Sequence, residues 1–334
     1  MIAVRRVAAG LSLLAVANTM SSVAGSSSSE PAGMWLNGSL DAHPGSPPQL
    51  RRLADVPGHK PDRVNDLLLL RPLEGLAACS ADAEAYEDGN SHVVFFHGDI
   101  QDFHQEMLLQ AEAAPWQSWS LERVALTLGR RFPNRYVWVV RASRMYLHKF
   151  SSYPNFVESN LFGAPEHSSD YGAFQHLRAL LGHGMEQAGL PNPLPPLGGP
   201  VPQGFHLELV GFSKGCVVLN QLLYELAGAR AQPGLAAFVE RISDMYWLDG
   251  GHPGGSETWV TEQRALRELA ASGVAVHAHV TPYEVRDPMR AWVGREHLRF
   301  IRTLEELGAR LEQKLHFEDE PPSIENHFRV IQEF

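Results

Sequence analysis

An apolar stretch from Phe205 to Val210 stops at Gly211-Phe212-Ser213-Lys214-Gly215. A second apolar pattern then follows at helical spacing: Val217, Val218, Leu219, Leu222, Leu223 and Leu226. The first run reads as a strand buried on both faces, and the second as a helix with a wide apolar side. Turning from one to the other within so few residues requires a backbone that no Cβ obstructs, and glycine stands on both sides of Ser213. The alternative is a glycine-rich turn whose serine merely caps the helix. Either way, the segment commits this part of the chain to helices layered on a sheet.

The rest of the chain repeats the alternation. Val64–Leu70, His92–Phe96, Tyr136–Val140, His206–Val210, Met245–Leu248, Val274–Val280 and Leu315–Phe317 read as strands. Helices are expected over 102–113, 121–131, 171–188, 214–227, 258–271 and most of 290–312, with 323–334 closing the chain. Glu122 in the first turn of 121–131, and Arg130 and Arg131 in its last, suit the helix dipole. Strands alternating with helices imply parallel pairing and a doubly wound, mostly parallel sheet in a single domain over 64–334. Residues 34–63 read as loop or weakly ordered. The Pro/Gly-rich stretch 189–205 reads as a surface excursion, and 143–169 as a flap over a pocket.

In that context Gly-x-Ser-x-Gly has the form of a nucleophile elbow, and the predicted fold is that of the α/β-hydrolases. Catalysis there needs a base and an acid after the serine in the chain. His327 follows the last strand and is the expected base; His316, on that strand, is the competitor. Asp287, after the 274–280 strand, is the expected acid, although an aspartate before Pro288 is also good helix-capping chemistry. Asp249, ending the preceding strand, is the alternative acid. The oxyanion hole would draw on the N–H of Lys214 and on Asp99 or Ile100 in the loop His97-Gly98-Asp99-Ile100. The acidic Asp99 side chain counts against catalysis unless it points away. His277 and His279 share a strand face, but no third metal ligand is evident. Neither a metal nor a cofactor is expected.

A formal net charge of -10 over 334 residues leaves no basic field for a phosphate backbone, so nucleic-acid binding is disfavoured. The two cysteines, Cys79 and Cys216, cannot form a zinc cluster and are expected to be reduced. Residues 1–33 carry Arg5, Arg6, an apolar run from Val7 to Ala17, serines, and no acid before Glu30. Both a secretory signal and a mitochondrial presequence fit this composition. The apolar run is too short to span a bilayer, which takes about 20 residues, and no other stretch qualifies as a transmembrane segment.

Several segments carry a closer resemblance. These are Gly211–Leu223, Met245–His252, His279–Tyr283 with Val285–Arg290, Ser323–Val330, Leu147–Phe150 and Phe162–His167. Together they resemble a vertebrate mitochondrial protein family first described as an open reading frame of human chromosome 2. The likeness runs from about residue 64 to the end, apart from 189–205. It implies a mitochondrial, matrix location, a transit peptide and a role in mitochondrial homeostasis, and it brings no established substrate. Two function classes follow. One is a serine hydrolase acting on a small-molecule acyl or lipid-like ester, thioester or amide. The other is a non-catalytic binding or scaffold protein with a mitochondrial protein partner.

Overall fold

The computed structural model describes residues 50–72, 90–160, 163–194 and 199–334. The leader expected at 1–33, most of the loop expected at 34–63, Cys79 and part of the 189–205 excursion lie outside them. The chain runs through β1 (Leu50–Pro57), β2 (Val64–Leu70), β3 (Ser91–Phe96), α1 (His104–Leu108), α2 (Leu121–Arg131) and β4 (Tyr136–Val140). Two short hairpins come next, β5 (Arg144–Tyr146) with β6 (Phe150–Ser152) and β7 (Glu158–Ser159) with β8 (Pro165–Glu166). They are followed by α3 (Ala173–Ala188), β9 (His206–Phe212), α4 (Cys216–Ala231), α5 (Pro233–Val239) and β10 (Ile242–Leu248). The chain continues with α6 (Gln263–Ser272), β11 (Ala275–Val280), α7 (Pro282–Val285), α8 (Ala291–Glu306), β12 (Leu311–Leu315) and α9 (Ile324–Glu333).

One eight-stranded sheet, in the order β1-β2-β4-β3-β9-β10-β11-β12, organises these elements. β2 runs antiparallel to both its neighbours, and every pairing from β4 to β12 is parallel. Side chains alternate between two apolar layers. Val94, Phe96, Trp138, Leu209 and Trp247 join the layer under α3, α4, α6 and α8, while Val93, Phe95, Val139, Val210 and Leu248 join the layer under α2 and α9. Period-two side chains with both faces covered explain why these strands read as unbroken apolar runs.

Three expectations are corrected. β1 lies within the stretch expected to be loop: only Leu53 and Val56 along it are buried, so its sequence shows no apolar run. The helix expected over 102–113 is confined to α1, followed by turns and a 3-10 stretch at Ala114–Trp119. The last strand is Leu311–Leu315 rather than Leu315–Phe317, because a half-exposed edge strand, Leu-Glu-Gln-Lys-Leu, reads as the polar end of the preceding helix. His316 follows the strand instead of lying on it.

The core also holds neutral histidines. Burial lowers His92, His176 and His279 to about 3 and His97 to about 4 from an ordinary 6.5. Each binds its proton less readily in the folded than in the unfolded chain. Between about pH 6.5 and 4 the unfolded state therefore takes up more protons, and stability falls as pH drops. The buried carboxyls Glu208 and Glu284, pushed up to about 6 and about 7, act in the opposite sense but are fewer. Calorimetric melting at pH 7 and at pH 4.5 is expected to give a clearly lower midpoint at the acidic value; a midpoint that rises on acidification would contradict this balance.

Candidate active site

β9 lies between β3 and β10, so its end opens near the middle of the sheet. Ser213 follows directly, with φ +50°, in a 3-10 turn Ser213–Gly215 that leads into α4. A left-handed conformation at a non-glycine residue costs roughly 1–2 kcal/mol. The surroundings hold it there. A Cβ on Gly215 would lie 2.0 Å from Phe96 O, one on Gly211 2.9 Å from Cys216 Cα, and one on Gly98 2.7 Å from Ser213 Cβ. Glycine at these positions allows the ends of β3 and β9 to meet around the serine. Ile100 (φ +71°) and Asp249 (φ +46°), just beyond β3 and β10, are strained in the same way. Strain is thus gathered at the carboxyl ends of three adjacent parallel strands, where open α/β sheets place their ligands.

Asp249 is fully buried. Its Oδ1 accepts the Thr281 N–H at 2.7 Å, and its Oδ2 accepts the Thr281 hydroxyl at 2.6 Å. Oδ2 also lies 2.7 Å from His327 Nδ1. His327 sits in the first turn of α9, which Ser323 caps by accepting the Asn326 N–H at 3.1 Å. Its ring packs on Phe212, Tyr283 and Phe328, with centroids 4.7, 4.9 and 5.7 Å away. A carboxylate at Nδ1 assigns the proton to that nitrogen and leaves Nε2 as a base. Ser213 Oγ makes no hydrogen bond to His327 among the described residues; such bonds are commonly long before substrate binds.

Asp287 does not reach His327. It caps the turn Pro288–Arg290, accepting the Met289 N–H at 2.8 Å and Arg290 Nε at 2.8 Å. Partial burial works to raise its carboxyl, but the bonds from Arg290 and Met289 outweigh this and hold it below its usual range. The physical reason is α7: the chain coils immediately after β11, so Thr281 reaches Asp249 while Asp287 is carried past. His316 is also elsewhere, sharing a 2.9 Å hydrogen bond with His279 Nδ1. His277, two residues before His279, contacts Asp244 and Glu312 at 2.9 and 3.2 Å.

The loop after β3 is tied down. Ala142 N–H donates to His97 Nε2 at 2.9 Å, and His97 Nδ1–H donates to Gly98 O at 2.7 Å, so the imidazole is a structural brace. The Ile100 N–H is taken by Lys149 O at 2.7 Å. The Asp99 N–H has no acceptor among the described residues. Asp99 Oδ1 accepts both the N–H and the hydroxyl of Ser151, at 2.8 and 2.9 Å. Burial raises its carboxyl against the opposing pull of Lys214 and Ser151. The Lys214 N–H opens the helical turn, where no intrahelical acceptor exists. Its buried Nζ donates to Gly163 O at 2.6 Å. Burial lowers that ammonium, and Asp99 opposes the effect. Thr281, Ser151 and Gly163 were not anticipated from sequence. Only Thr281 carried a signal, as a threonine cap before Pro282.

The strand order, with one antiparallel member and a strained serine between the central strand and its helix, defines a protein of the α/β-hydrolase fold. Solved structures of that kind are similar only distantly. A Mycobacterium tuberculosis puromycin-hydrolyzing peptidase is 14% identical with a TM-score of 0.45, matching 88% of this chain and only 40% of its own. Brefeldin A esterase is 14% identical with a TM-score of 0.40, over 88% of this chain and 75% of its own. The C2orf69 family model matches residues 52–192 and 199–310, and the chain belongs to that family. It is 66% identical to the Mitochondrial protein C2orf69 homolog of Danio rerio over 99% of this chain and 95% of that one. To Mitochondrial protein C2orf69 of Homo sapiens it is 44% identical over 86% of each. These names support a mitochondrial location.

The glycine contacts give a direct test. Gly215→Ala is expected to cost at least about 3 kcal/mol in urea unfolding, because its Cβ meets backbone that cannot yield. Gly228→Ala, inside α4 with its nearest neighbour 3.9 Å away, is expected to stabilise by about 0.5–1 kcal/mol. Equal stabilities for the two variants would refute the crowding argument.

Proposed function

We propose that this chain is a serine hydrolase acting on an ester, thioester or amide of a small acyl or lipid-like substrate in the mitochondrial matrix, where it supports mitochondrial homeostasis. Ser213 is the nucleophile on an elbow, His327 the base and Asp249 the acid. The observation that carries this reading is the 2.7 Å contact between His327 Nδ1 and a buried Asp249, made beside a serine in strained backbone. Ser213 Oγ attacks the carbonyl carbon while His327 Nε2 takes its proton. Asp249 fixes the tautomer and stabilises the imidazolium, which then protonates the leaving group. Water repeats the sequence to free the acyl group. The N–H groups of Lys214 and Asp99 hold the oxyanion. The Ile100 N–H, already donating to Lys149, is not assigned to it. One such donor is worth roughly 100–1,000-fold in rate.

A binding protein on the same fold is the second reading. It is favoured by the 9% exposure of Ser213 and by the hairpin bonded to the neighbouring Asp99 loop.

A fluorophosphonate probe separates the two. The wild-type chain is expected to label, Ser213→Ala not at all, and Asp249→Asn about 10⁴-fold more slowly through loss of the correct tautomer. Asp287→Asn is expected to label at the wild-type rate. A folded wild-type chain that does not react would favour the binding reading, and normal labelling of Asp249→Asn would remove that residue from the triad.

A further inference from the structure

We propose that Glu284 is a second carboxylate of this site, a positioning residue that braces the turn between Asp249 and Ser213 and stabilises the His327 imidazolium. Sequence spacing gives Glu284 no such role, and the triad chemistry does not use it.

Its placement follows from α7. Thr281 caps that helix and holds Asp249; Tyr283 lies against the His327 ring; Glu284 turns inward and is 4% exposed. A Cβ on Gly251 would lie 2.6 to 2.7 Å from its carboxyl atoms, so the carboxylate rests on the Gly251 backbone. The Gly251 N–H in turn donates to Ser213 O at 3.3 Å. The carboxylate therefore backs the short turn that leads from the acid towards the nucleophile. On its other side Arg290 Nη1 lies 2.9 Å from Oε2, while the same guanidinium donates through Nε to Asp287.

A buried ion pair is a poor device for stability alone, since apolar residues of the same size commonly do as well or better. Here the arginine is shared between two carboxylates, and the buried one lies against Gly251 and next in the chain to Tyr283, which packs on the His327 ring. The titratable groups facing Glu284 are Arg290 at the start of α8, His327 on α9, Asp249 at the end of β10, Cys216 on α4 and its own neighbour Tyr283. Burial raises the carboxyl to about 7, with Arg290 and His327 pulling it down and Asp249 pushing it up. Ionised, it adds negative potential where His327 becomes cationic; protonated, it withdraws that support.

The kinetic half of this inference rests on the serine-hydrolase reading, and the titration half does not. The experiment is an NMR titration of the His327 ring in the full chain, alongside the pH profile of fluorophosphonate labelling. In the wild type, the His327 ring signals are expected to show a separate inflection that reports the titration of Glu284. In Glu284→Gln the second inflection disappears, the His327 midpoint falls by about half a pH unit or more, and the acid limb of labelling moves with it. Glu284→Asp, which keeps the charge, restores part of the shift. A single inflection in the wild type, or an unmoved midpoint in folded Glu284→Gln, overturns the proposal. Absent labelling with the expected titration overturns only the hydrolase reading.

Discussion

Everything at this site depends on the close approach of two backbone segments. The carbonyls that end β3 press against Gly215, and the loop after β3 presses against Ser213 through Gly98. No side chain fits between them. That crowding holds Ser213 at a positive φ, and the first turn of α4 starts where the strained turn releases it. The cost of about 1–2 kcal/mol is offset by an eight-stranded sheet whose parallel strands are covered on both faces.

Much of this was legible in the sequence. Buried parallel strands are the easiest elements to read, because both faces demand apolar residues; Tyr136–Val140 and Val64–Leu70 have the same limits in the structure. The edges were harder. β1 buries only two positions, three residues apart, with a register break between Leu53 and Val56, and β12 exposes its middle three residues. Edge strands gain little by being apolar and much by being charged, so their sequences resemble loops and helix ends.

Within the candidate site, the positions of Ser213 and His327 in the fold were legible because they depend on local features: a glycine-bracketed turn, and a helix start after the last strand. The aspartate that meets His327 was not. Asp287 and Asp249 both follow strands, and the path of α7 leaves only Asp249 in contact with His327. A four-residue helix opened by Thr281-Pro282 is a local event with a distant effect. It brings the threonine to Asp249, the tyrosine to His327 and the glutamate to Gly251. Nothing in the spacing of Glu284 announces this, since its partners arrive from four other elements.

The β5–β6 hairpin holds the loop after β3 at two points, Lys149 O to the Ile100 N–H and Ser151 to the Asp99 carboxylate. Lys214 reaches the next hairpin through Gly163. Both hairpins are thus fastened to the segments that flank the serine. Any displacement of the β5–β6 hairpin would pass through these bonds to the loop after β3, so the two segments behave as one mechanical part beside the serine.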